Sequence, residues 1–101
     1  MPSDDAPAML LRDEALAVIR ELAADSSRIV VVGHARKRGR ERSISRRQIE
    51  RCCQKGTIIE GPFRNAHGHW QVSLFRHAAG EEITCAVAIE WRERLIVITA
   101  F

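Results

Sequence analysis

At 101 residues the chain has room for one domain, and its 46% hydrophobic and 29% charged composition is that of a folded globular protein, not a disordered tail. The formal net charge of +3 hides a polarised chain. Residues 28–55 hold ten Lys/Arg against Glu41 and Glu50, roughly +8, whereas residues 1–27 sum to about −4 and residues 57–101 to about −1. No apolar run approaches the ~20 residues of a membrane span, and the opening MPSDDAPAML lacks the basic n-region of a secretory signal. Three cysteines, two of them adjacent, make no disulfide framework. A cytoplasmic protein with no membrane association is expected.

Residues 6–24 read as an amphipathic helix, with Asp4 and Asp5 in the N-cap region, Pro7 in the first turn and Leu11, Ala15, Val18 and Leu22 along one stripe. Arg28–Val32 (RIVVV) is a β-branched strand of the kind buried on both faces. Gly33 and His34 lead into a short helix over residues 35–42, where Gly39 costs about 1 kcal/mol against alanine and Ser43 ends it. Ser45 and Gln48 have capping-box spacing, which predicts a second helix over residues 46–55. Its apolar side is Ile49, Cys52 and Cys53, with Ile44 as a staple and Gly56 in the C′ role. The period then changes to two: a strand at 57–60, a Gly61-Pro62 turn, a loop at 64–68, and strands at 69–77, 82–90 and 94–101. Connections that short make neighbouring strands antiparallel. The expected architecture is α+β, in the order α-β-α-α-β-β-β-β, with the helices on one face of a mostly antiparallel sheet that ends in a four-strand meander. It forms a single domain over residues 1–101.

His34-Ala35, Arg38, Glu41-Arg42 and Ile44-Ser45, then a helix, Gly56 and Ile58-Ile59-Glu60, resemble the small bacterial family known as domain of unknown function 4258. The ending Ile96-Val97-Ile98-Thr99-Ala100-Phe101 is similar to that family's aliphatic-Thr-aromatic close. The resemblance covers residues 28–101 and makes 1–27 an N-terminal helical extension. Three positions depart from the family pattern. Ser43 stands for a usual glycine, Gly39 for a usual large apolar residue, and Cys85 for a histidine found in some members. The layout also resembles the RelE-type and BrnT-type toxins, small basic α+β proteins that cut messenger RNA. That resemblance implies RNA as a partner, an acidic antitoxin-like protein as another, and metal-independent endoribonuclease chemistry.

Cleavage of RNA without a metal needs a group to move the 2′-hydroxyl proton and cations to hold the phosphate. His34 is the candidate acid/base, with Arg38 four residues on and Arg42 beyond it as phosphate holders. The competing reading makes His34 a strand–helix corner residue and pairs an arginine with Glu41. Arg36, Lys37, Arg40, Arg46, Arg47 and Arg51 read as phosphate-positioning charge, with His69 at the margin of the groove. A non-enzymatic module that clasps an acidic protein is the alternative. All of these readings require the arginines to converge near His34. His67, Gly68 and His69 have no carboxylate or cysteine at ligand spacing, so no metal site is expected. Without a Gly-rich phosphate loop, dinucleotide fingerprint or serine elbow, no cofactor is expected either. Cys52 and Cys53 read as buried small hydrophobes.

Overall fold

The computed structural model describes residues 6–101. Its elements are α1 (Arg12–Ala23), β1 (Ile29–Val31), α2 (Gly33–Glu41), α3 (Arg46–Lys55), β2 (Thr57–Arg64), β3 (Trp70–Ala78), β4 (Glu81–Glu90) and β5 (Arg94–Ala100). The five strands form one mixed sheet in the order β1-β5-β4-β3-β2. β2 through β5 make the antiparallel meander, and β1 lies parallel to β5, pairing Ile29 with Leu95 and Val31 with Val97. The α+β class and the element order are those expected.

Strand alternation sorts side chains between the two faces. Val72 and Leu74 of β3, Ile83, Cys85, Val87 and Ile89 of β4, and Leu95 and Val97 of β5 are buried beneath the helices. From above, α1 contributes Ala15, Val18, Ile19 and Leu22, α2 Ala35, and α3 Ile49, Cys52 and Cys53. The opposite face shows Ser73, Thr84, Ala86, Ile96 and Ile98, all half-buried.

Several boundaries differ from the sequence reading. Helix α1 begins at Arg12, six residues late, and the N-cap expected at Asp4 and Asp5 lies outside the described residues. Pro7 is not in the first turn. Its carbonyl accepts from Trp70 Nε1 at 2.9 Å and Arg64 Nη2 at 2.8 Å, which holds the segment against the β2–β3 hairpin. Leu11 is the N-cap, with extended backbone, and is exposed instead of joining the buried stripe; its N–H donates to Glu14. The strand expected to end at 60 runs on to Arg64 through Gly61-Pro62, with register shifts on either side of Glu60. An edge strand tolerates a proline because its missing N–H breaks no ladder.

Helix α3 has the expected capping box. Gln48 N–H donates to Ser45 Oγ at 3.1 Å, and Ser45 N–H to Gln48 Oε1 at 2.7 Å. Gly56 ends the helix for a different reason from the one expected. Its φ is −69°, so no left-handed conformation is involved, but a Cβ there would stand 2.5 Å from Cys52 O and 3.0 Å from Phe75 O. Gly39 likewise marks a close approach. It is buried where the chain folds back, its carbonyl accepts from Ile44 N–H, and a Cβ would meet Ile44 O at 3.1 Å. The absent side chain lets α2 and the α3 entry come together. No helix is long and apolar enough to cross a membrane among the described residues.

Candidate nucleic-acid interface

Helix α2 begins at Gly33, so His34 and Arg38 share a face as their spacing requires. At about 100° per residue, His34, Arg38 and Arg42 run along one flank of α2 and Arg36 and Arg40 along the other. Ala35 and Gly39 point into the core. Lys37 and Glu41 lie between the flanks on the outward side. The charge of this helix is therefore divided into two stripes, where the sequence reading expected one patch bordered by His34.

The His34 stripe is weakly furnished. His34 is exposed, and among the described residues no side-chain hydrogen bond orients its ring. Arg38 Nη1 lies 3.5 Å from Glu41 Oε2, three residues on in the same helix. Arg42 shares a hollow of about 310 Å³ with Glu81, Glu82 and Phe101.

The other stripe faces α3. Arg36, Arg40 and Arg46 converge on a cleft of about 240 Å³ whose floor is Val31, Gly39, Ile44 and Ile49. Arg46 is already engaged: Nε donates to Glu50 at 2.7 Å, and Nη2 donates to the carbonyls of Ile29 at 2.6 Å and Ser26 at 3.2 Å. It ties α3 to the start of β1 while keeping its charge near the surface. Arg36 and Arg40 have neither an ion-pair partner nor a side-chain hydrogen bond among the described residues. Arg47 and Arg51, one turn apart, line an outward hollow with Glu50 and Gln54, and Arg51 also lines a second hollow with Arg76, which sequence reasoning had not singled out.

The acidic first helix does not neutralise this surface. All four ion pairs among the described residues are local, three or four residues apart, and none joins α1 to α2 or α3. The polar contacts between α1 and α3 are to backbone carbonyls: Gln54 Nε2 donates to Ala23 O at 3.1 Å, and the Arg20 guanidinium donates to Cys53 O at 2.8 Å and to Gly56 O. The guanidinium satisfies carbonyls that a helix end leaves without partners.

His69 lies on the other side of the sheet from the arginines. It precedes β3 instead of starting it, in a loop where Asn65 Oδ1 accepts from the backbone N–H groups of His67 and His69 at 2.9 and 3.1 Å. With Val32, Ala88, Ile96 and Ile98 the loop borders a hollow of about 430 Å³ on the face that carries no helix. Nothing in the local sequence marks that assignment, because it depends on where the hairpin folds. Among the described residues no three His, Cys, Asp or Glu side chains are grouped as a metal would require.

The cysteines are buried. Burial, followed by the neighbouring Cys52, pushes the Cys53 thiol up to about 12. The hydrogen bond with Cys52 and then burial push Cys85 up as well. Cys52 Sγ contacts the carbonyls of Leu74 and Ile83 at 3.6 and 3.7 Å. These thiols serve as packing, and Cys85 takes up the space between α3 and β4.

No curated protein and no solved structure matches the chain. The family model described as Domain of unknown function (DUF4258) matches residues 31–101, from the last residue of β1 through the whole meander, and the chain belongs to that family.

Proposed function

We propose that the protein binds RNA through its phosphate backbone, using the outward surface of α2 and α3. The observation that supports this is the set of cations on those two helices, Arg36, Lys37, Arg40, Arg42, Arg47 and Arg51, none of which has an acidic partner among the described residues. Surface cations that are not internally paired are available to replace the counterions of a polyanion. Recognition would be independent of sequence. Trp70 is buried, and of the exposed aromatics Phe63 is on the far edge strand while Phe101 shares a hollow with Arg42 at the end of α2. A row of stacking platforms is therefore missing from the basic surface.

In the toxin-like form of this reading, His34 moves the 2′-hydroxyl proton while Arg38 and Arg42 hold the phosphate. The geometry supports binding further than cleavage, since His34 has no orienting partner and Arg38 is engaged with Glu41. Fluorescence anisotropy with a labelled oligouridylate, titrated across roughly 50–200 mM salt, tests the binding. The expected log–log slope is near −0.7 for each phosphate contacted, and a flat response sinks the proposal. Incubation of messenger RNA with wild-type protein and with His34→Ala tests the cleavage. Equal cleavage by the two proteins removes His34 from the mechanism, and intact RNA in both leaves a binding protein only.

An acidic protein partner, of the antitoxin kind or otherwise, is the second reading. It is favoured by one observation, the apolar floor between Arg36, Arg40 and Arg46.

A further inference from the structure

We infer that the α2–α3 cleft is a docking pocket for an acidic amphipathic helix, which inserts one aliphatic side chain between carboxylates placed one turn to either side. The inference does not depend on RNA binding and extends the second reading to a defined site. The floor is aliphatic: Val31 and Ile49 are buried, Ile44 is half-buried, and Gly39 adds bare backbone. A volume of about 240 Å³ takes a leucine-sized group with room to spare.

The rim selects the neighbours of that group. Arg36 and Arg40 are exposed, four residues apart on a helix, and unspent by any internal pair among the described residues. Their Cβ atoms are therefore about 5–6 Å apart, and the two long side chains can splay in opposite directions to meet carboxylates one turn before and one turn after the inserted group. Arg46 adds charge at the third side, although its hydrogen bonds are taken. An apolar hole ringed by cations thus fits an apolar anchor ringed by anions, recognised in the helix-in-groove manner.

A nucleobase is a poor occupant of the same space. Its polar edge would lie against Val31, Ile44 and Ile49 without partners, which is unfavourable for any buried hydrogen-bonding group. Ser45, the polar residue at the edge, already exchanges two hydrogen bonds with Gln48. Phosphates are served by the outward cations Arg47 and Arg51, away from the cleft.

The test uses the full chain and a synthetic helical peptide with Glu, Leu and Glu at successive four-residue spacings. Methyl NMR should show Ile44 and Ile49 shifting on titration. Replacing the peptide leucine by alanine should weaken binding roughly ten-fold or more, as expected when a buried leucine side chain is lost. On the protein, Ile44→Ala should weaken the peptide by several-fold and leave oligouridylate affinity unchanged. The exposed pair Arg36→Ala/Arg40→Ala should weaken the peptide in a protein whose melting temperature shows it still folds. Arg47→Ala/Arg51→Ala should weaken oligouridylate and spare the peptide. Equal affinity for the leucine and alanine peptides would overturn the pocket and leave only charge attraction. Movement of the Ile44 and Ile49 methyls by oligouridylate, with displacement of the peptide, would assign the cleft to nucleic acid instead. Loss of oligouridylate binding alone would defeat the RNA proposal and leave the pocket standing.

Discussion

Ser43 has a φ of 57° between α2 and α3, in the left-handed region where a Cβ crowds the following carbonyl. The side chain is exposed, so nothing in the core compensates. Ser43→Gly relieves about 1–2 kcal/mol of that crowding and returns part of it as unfolded-state entropy. A net gain of roughly 0.5–1 kcal/mol is expected in urea denaturation. Cys53 gives a second single-residue prediction. Its folded-state thiol titrates near 12 against an ordinary 9.0, so above pH 9 the unfolded chain loses a proton that the folded chain keeps. Its contribution is fully present below about pH 9 and is lost as pH rises toward 12. Cys53→Ala should flatten that alkaline limb. Because all 3 cysteines are buried, none should react with a disulfide reagent at pH 8 until denaturant is added. That the cysteines would be buried was legible from their place on the apolar side of α3. The reasons for Gly39 and Gly56 were not, because the atoms that exclude a Cβ include Ile44 O and Phe75 O, brought close only by folding.

The start and the apolar stripe of helix α3 could be read from its sequence because both the N-terminal cap and the stripe are local. Its tether could not. Arg20, read as an off-stripe residue of α1, reaches across to the last carbonyls of α3 from more than thirty positions away. Arg20→Ala leaves those carbonyls without a donor in a half-buried setting and should cost about 2 kcal/mol in chemical denaturation. Arg20→Lys should recover only part of this, because one ammonium cannot reproduce the two-pronged contact. Strand β2 shows the opposite case. Gly61-Pro62 reads locally as a turn, yet pairing with β3 carries the strand past it to Arg64. Proline forbids a ladder bond on one side only, and at the sheet's edge that side is vacant.

Over the whole molecule the charge distribution decides the functional reading. Arg36, Lys37, Arg40, Arg42, Arg47 and Arg51 have no acidic partner, and the acids of α1 make no ion pair with α2 or α3 among the described residues. Arg47→Ala and Arg51→Ala should each lower the salt slope of RNA binding by about 0.7 if each contacts one phosphate, read by the same anisotropy titration. Lys37→Ala, on the outward side of α2, should do the same. His69→Ala should leave both affinity and slope unchanged, because the sheet separates that residue from the arginines. A loss with His69→Ala would mean that RNA wraps around to the helix-free face.

The amino-acid sequence by itself determined the class of fold, the order of its elements, the buried stripes and the concentration of positive charge, since each is written in periodicity, capping and composition over a few residues. Only the tertiary structure decided which arginines stand together, which of them are already used, and that His34 and His69 do not share a site with them all. Those are relations between elements distant in the chain, fixed by the burial of Val31, Ala35 and Ile49 against one another. Spacing along one helix fixes a side chain's direction, but only the packing of two helices fixes what it meets.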